Sequence, residues 1–227
     1  KSLVLPVFCF DPKIFGTASK TWFGNLKCGP KRAKFLIESV ADLRQQLQQK
    51  LGIQLLVAHG DPEAVVESLL RIFKDTEVDL VLQDEVLKEE QDTVESISGV
   101  LKQHQPRGKM HSIWGSTLYD IKDLPFDEDL RDLPDVFTPF RNKVEKTSTI
   151  HRPLPVPTRN SMPFLNAESN EYKAVAEMAQ CMPSLNDLGY THEEVKEAES
   201  EDPRGVMTFR GGESVALQRV KEYIWQK

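Results

Sequence analysis

Apolar and polar positions along this chain change period repeatedly, and the changes predict alternating strands and helices. Residues 3–10 are β-branched and aromatic without alternation, the pattern of a strand buried on both faces of a parallel sheet. Asp11 and Pro12 end it, and a polar loop holding Trp22 and Phe23 runs from Gly16 to Gly29. Pro30 opens a helix expected over 32–51, with Leu36, Val40, Leu43, Leu47 and Leu51 on one stripe and Gly52 as its terminator. Residues 53–58 form a second apolar run. Asp61 then stands as N-cap, Pro62 in the first turn and Glu63 near the positive end of the dipole, with Val65, Val66, Leu69, Leu70 and Phe73 facing inward. A third strand is expected over 77–82. A charged helix follows over 85–103, with Val94, Ile97, Val100 and Leu101 as its core face, and a fourth strand at 111–114.

Gly115 breaks the fourth strand, and Pro125 and Pro134 forbid helix through the loop beyond it. Past Pro134 the period becomes helical again: Val136, Phe137, Phe140 and Val144 recur on one face, Asp135 is the expected cap, and Arg141, Lys143 and Lys146 gather toward the C-terminal end. Strands alternating with helices of this length predict a parallel α/β sheet with right-handed crossovers. Beyond Lys146, Pro153, Pro155, Pro157 and Pro163 among Ser and Thr predict an extended linker wrapping a surface. A short helix is expected over 168–180, a turn-rich segment over 183–189 and a solvated acidic run over 193–202. Phe209-Arg-Gly-Gly-Glu-Ser214 then leads into a helix with Val215, Leu217, Val220, Tyr223, Ile224 and Trp225 as apolar positions. The domain boundaries that follow are 1–146 for the α/β part, 147–207 for a Pro-rich and acidic linker, and 208–227 for the start of a helical domain. Large aromatics close to Lys227, and the absence of a methionine at Lys1, give the expectation of a fragment or processed product.

With 39% hydrophobic and 28% charged residues the 227-residue chain has the composition of a globular protein with a core. A net charge of −6 argues against this chain alone gripping a nucleic-acid backbone. No apolar run approaches the ~20 residues of a membrane span. Cys9, Cys28 and Cys181 are odd in number and far apart, which favours a reducing compartment over a disulfide framework or a zinc site. Other chemistry-bearing residues have plainer explanations. His59 lies at a strand end without an acid or nucleophile beside it, so a structural role is expected. Cys28 before Gly29-Pro30 is a small turn residue before it is a helix-start thiolate. Gly211-Gly212 lacks the Lys-Ser/Thr of a phosphate loop. Lys31, Arg32 and Lys34 are expected on a solvated helix face, and Trp114 and Trp225 in packing.

The stretch Trp114-Gly-Ser-Thr-Leu-Tyr119, then Asp123-Leu-Pro-Phe126, then Leu133-Pro-Asp-Val-Phe-Thr138 with Phe140-Arg141 and Val144-Glu145, closely resembles the N-terminal domain of the photolyase/cryptochrome family. The similarity is greatest to its cryptochrome DASH branch and the plant and algal relatives. Val4-Leu-Pro-Val-Phe-Cys-Phe-Asp-Pro12 resembles the family's second strand, and Lys27-Cys-Gly-Pro-Lys-Arg32 with Phe35–Arg44 its next helix. Gly60-Asp-Pro-Glu63 resembles the turn after its third strand. Phe209-x-Gly-Gly-Glu213, with Ala216-Leu217 and Arg219, resembles the opening of the helical flavin domain.

The resemblance implies a Rossmann-like, doubly wound α/β fold that lacks the family's first, central strand and so leaves two strand edges open. It implies an intact blue-light flavoprotein, either a photoreceptor or a DNA photolyase, whose FAD domain and DNA groove lie outside these residues, with no catalytic residue here. It places a folate antenna, methenyltetrahydrofolate, at Glu85, whose carboxylate would accept pterin N–H groups past the strand ends; the other reading of Glu85 is a helix-start acid favoured by the dipole. Lys31 and Asp120 depart from the residues usual in the branch. A chain with no cofactor of its own remains open beside this. So does a light-inactive, photolyase-derived module docked in a larger complex, and, by fold analogy alone, an adenine-nucleotide-binding domain. The plant and algal resemblance implies a chloroplast address.

Overall fold

The computed structural model describes residues 3–115, 117–159, 161, 163–165, 168–200, 205 and 209–225. They divide into two compact units, one of residues 1–74 with 157–227, the other of residues 75–156. The expected ends of the acidic run, Glu201 and Asp202, lie outside the described residues.

In the first unit β1 (Val7–Phe10) pairs in parallel with β2 (Leu56–His59), Val7 opposite Leu56 and Phe10 opposite His59. Helices cover both faces, as buried parallel strands require. Leu55, just before β2, and Val57 within it pack with Phe8 and Phe10 against Leu36, Ile37 and Val40 of α1 (Pro30–Gln46). The alternate residues Leu56 and Ala58 pack on the other side against Val65 and Leu69 of α2 (Pro62–Ile72) and Val175 of α5 (Asn170–Met178). The expected single helix over 32–51 is instead α1 followed by a π-helical turn, Leu47–Leu51, closed by Gly52 at φ 74°. Only glycine takes that left-handed terminus without strain.

A satellite core surrounds the start of α1. Cys28, Ala33, Leu185 and Tyr190 are buried together, with Val195 and Ala198 of α6 (His192–Glu199) against them. The turn-rich segment therefore carries core residues. The acidic run is a helix rather than free chain: Thr191 and Glu194 form a reciprocal capping box, and one apolar side of α6 packs inward. Helix α7 (Glu213–Trp225) ends the unit with Leu217, Val220, Ile224 and Trp225 exposed.

In the second unit β3 (Leu80–Gln83) pairs in parallel with β4 (Met110–Ile113), Leu80 opposite Met110 and Gln83 opposite Ile113. Helix α3 (Lys88–His104) joins them and buries Ile97 and Leu101; α4 (Phe137–Thr147) buries Val144. Three expectations change here. The cap of α4 is Val136, extended at φ −116°, and Asp135 makes no capping bond. Of its apolar stripe only Val144 is buried, while Val136 and Phe137 are exposed. Phe140 stacks on Phe126, with centroids 5.7 Å apart, and Lys143 lies 4.4 Å over the Phe126 ring. The third change is in the sheet. The four strands were expected in one doubly wound sheet. Among the described residues they form two parallel pairs, one per unit, because no described strand bridges β1 to β3 or β4.

Candidate functional site

Glu85 lies just past the last rung of the second parallel pair, where the Asp84 N–H donates to the Ile113 carbonyl at 2.9 Å. It is half-buried. It does not open the following helix: α3 begins at Lys88 behind an extended Leu87 (φ −78°, ψ 144°), and its first-turn acids are Glu89 and Glu90. Glu85 thus lies two residues before the cap rather than inside the first turn. A cavity of about 260 Å³ lies beside it, lined by Asp84, Glu85, Gln91, Val94, Glu95, Ser98 and Met110.

Gln91, Val94, Glu95 and Ser98 come from one stripe of α3, at i, i+3, i+4 and i+7. Val94 was assigned to the core face in the sequence, and the polar residues sharing its stripe line the wall. The lining is rich in acceptors, which suits the N–H edge of a pterin. The depression is open to solvent and smaller than the ~300–1,000 Å³ of pockets that enclose a drug-sized ligand, and Asp84, Glu85 and Glu95 are its carboxylates.

The ends of β1 and β2 gather a second set of charged groups. Lys13 Nζ contacts Glu63 Oε1 at 2.8 Å and Asp61 Oδ1 at 3.4 Å. The Lys13 hydrogen bond holds the Glu63 carboxyl below its usual range, against burial. Asp61 occupies the N-cap position of α2 as expected, but its side chain turns to Lys13 and makes no cap bond. Asp11 is buried, which raises its carboxyl, and its Oδ1 accepts the Lys13 N–H at 2.7 Å. Cys9 Sγ donates to the Gly60 carbonyl at 3.1 Å, and burial, then Asp11, push its thiol up to about 12. His59 packs edge-on against Phe10, and its Nε2 is buried with no hydrogen-bond partner. Lys13 holds Asp61 and Glu63, while Asp187, whose carboxyl is lowered chiefly by Ser184 and in part by His59, accepts from Ser184.

The remaining candidates resolve into structural roles. Cys28 is buried and its thiol is raised by that burial, the opposite of an activated thiolate. Gly211 and Gly212 lie against α1, where a Cβ on Gly211 would collide with the Phe35 carbonyl oxygen. Lys34 pairs with Glu38, and Lys31 reaches Glu197 at 3.9 Å. Trp114 is half-buried and donates its indole N–H to Thr117 Oγ1 at 2.7 Å. Trp225, expected in packing, is 78% exposed. Among the described residues no three His, Cys, Asp or Glu side chains are placed to hold a metal, and no helix is long and apolar enough to cross a membrane.

The sequence profile of the DNA photolyase family matches residues 1–159. The chain belongs to the DNA photolyase family. It is 39% identical over 226 residues to cryptochrome DASH of Gloeobacter violaceus, covering 99% of this chain and 39% of that protein. It is 36% identical over 236 residues to the chloroplastic/mitochondrial cryptochrome DASH of Solanum lycopersicum, covering 99% of this chain and 37% of that one. The crystal structure of the Synechocystis cryptochrome superposes with a TM-score of 0.69 at 29% identity, covering 99% of this chain and 41% of that one. The chain thus spans about two-fifths of the length of the photolyase-family relatives it matches. Glu85 lies within the residues that the family profile matches.

Proposed function

We propose that these residues are the antenna-type part of a blue-light flavoprotein of the cryptochrome DASH type, and that the Glu85 cavity holds the pterin head of a folate. The observation that carries this is the position of Glu85: past the end of a parallel strand, half-buried, in an acceptor-lined space. When bound, such a folate absorbs near-ultraviolet light and passes excitation to a flavin. The chain's own contribution is to orient it. Glu85 and Asp84 accept its N–H donors, and α3 supplies Gln91, Glu95 and Ser98 along one wall.

In this reading FAD sits in a helical domain outside residues 1–227, residues 208–227 begin that domain, and residues 147–207 lead into it. The photoreceptor or photolyase activity, any DNA contact and a chloroplast address belong to the whole protein, as the names of the relatives suggest. The test is titration of the chain with methenyltetrahydrofolate, followed by its near-ultraviolet absorption band. Glu85→Gln should weaken binding by about tenfold or more, the effect of losing a charge-assisted hydrogen bond, while Glu128→Gln on the exposed loop leaves it unchanged. Equal binding by both variants would refute the assignment.

A second reading is supported by the exposed Leu217, Val220, Ile224 and Trp225 on α7: a light-inactive module docked in a larger complex. A colourless natural polypeptide would favour it, and a flavin band would exclude it.

A further inference from the structure

Two adjacent aromatics in the first unit stand almost wholly in solvent. Trp22 is 97% exposed and Phe23 87%. They occupy the centre of a tight turn in which the Gly24 N–H donates to the Thr21 carbonyl at 2.9 Å, with Gly24 at φ 82°. A short antiparallel stem holds the turn. Lys20 pairs with Leu26, the Thr21 N–H donates to the Asn25 carbonyl at 2.8 Å, and the Lys27 N–H to the Ser19 carbonyl at 3.0 Å. The base is anchored in turn, since Leu26 packs on the buried core around Cys28. The aromatics are therefore presented on an ordered point.

The segment that carries them is basic in sequence. Residues 12–37 contain six Lys or Arg and no Asp or Glu, in a chain whose net charge is −6. Lys13, Lys31 and Lys34 have acidic partners elsewhere, and Lys20 stands exposed in the stem itself.

We propose that the Trp22–Phe23 hairpin is a peripheral anchor for an anionic bilayer surface. A convex tip of two side chains cannot supply the ~800 Å² per partner of a stable protein interface. A bilayer needs no complementary pocket: its interface accepts Trp and Phe as a wedge, with the indole N–H at headgroup level. The exposed stem Lys20 then meets anionic headgroups rather than acyl chains. Nucleic acid is the poorer occupant, because stacking proteins line a basic groove that tracks the strand, and this is a single point.

The test is flotation of the 227-residue chain with phosphatidylcholine vesicles, with and without phosphatidylglycerol. Binding is expected with the anionic vesicles, reduced by salt and lowered about tenfold or more by Trp22→Ser with Phe23→Ser. Lys20→Glu should reduce only the phosphatidylglycerol-dependent part. In a Trp114→Phe, Trp225→Phe background the Trp22 emission should shift blue and resist iodide quenching when vesicles are added. An unchanged circular dichroism spectrum shows that the variants fold. Absent flotation, or equal flotation of the double variant, overturns the proposal. So does a concentration-dependent dimer, or oligonucleotide binding without vesicle binding, that the double variant abolishes.

Discussion

The backbone N–H of Gly211 donates to Glu38 Oε2 at 2.8 Å, joining groups 173 residues apart in sequence. The Ser214 N–H donates to Asp42 Oδ2 at 3.0 Å one turn further along α1, and Gln46 reaches Ser214 Oγ at 2.9 Å. Carboxylates on α1 thus satisfy N–H groups at the start of α7, a task that a helix's own cap residue usually performs. The glycines serve this approach, since side chains would hold the two backbones apart.

Gly211→Ala tests it directly. The added Cβ meets the Phe35 carbonyl and lies 2.7 Å from Ser39 Oγ, so the α7 start must shift and lose the Glu38 bond. A loss of about 1–3 kcal/mol is expected, the usual effect of overpacking, with faster amide exchange in α7. Unchanged thermal stability would refute the docking role.

The same latch should be acid-labile. Burial pushes the Glu38 carboxyl up, but the Lys34 and Gly211 hydrogen bonds outweigh it and leave it low; the Ser214 N–H chiefly lowers Asp42. A depressed folded-state value means stability that is present above the ordinary values of 4.5 and 3.8 and is lost as pH falls through the lower folded ones. The Gly211 and Ser214 amide resonances should therefore move together on acidification below those values. Amides indifferent to pH across that range would show that the carboxylates do not hold them.

Thiol labelling should distinguish the three cysteines. Cys181 is exposed and reacts first at neutral pH. Cys28 is buried, and burial raises both its thiol and the Cys9 thiol, the latter to about 12, so these two react only as the structure opens. Three equally fast thiols would contradict the packing of Cys28 with Tyr190 and Leu185.

Leu70 is among the largest fully buried side chains. Leu70→Ala should cost about 2–5 kcal/mol in denaturant unfolding of the chain. A loss below this range would mean that the site collapses to fill the space.

The strands and helices were legible in the sequence because each carries its own period and its own terminators. The run from Ile53 to Ala58 shows burial on both faces, Gly52 a left-handed stop, and Asp61-Pro62 a helix start. Errors fell where a side chain had two possible partners. Asp61 caps by position yet turns to Lys13, which is 48 residues away in sequence, and Asp135 is not the cap because the backbone of Val136 takes that position. Glu85 was legible as a candidate, but the cavity wall from α3 was not, since Gln91, Glu95 and Ser98 look like any solvated stripe until the helix is placed beside β3.

The sequence by itself determined the alternation of strands and helices, the family and the candidate carboxylate, because these depend on local periodicity and on motif order along the chain. Tertiary structure alone decided that the strands pair two by two, that Gly211 and Gly212 seat α7 on α1, and that Trp22 and Phe23 stand in solvent. Pairing, close approach and exposure are relations between residues distant in sequence, and no local pattern encodes which of several possible partners a group will meet.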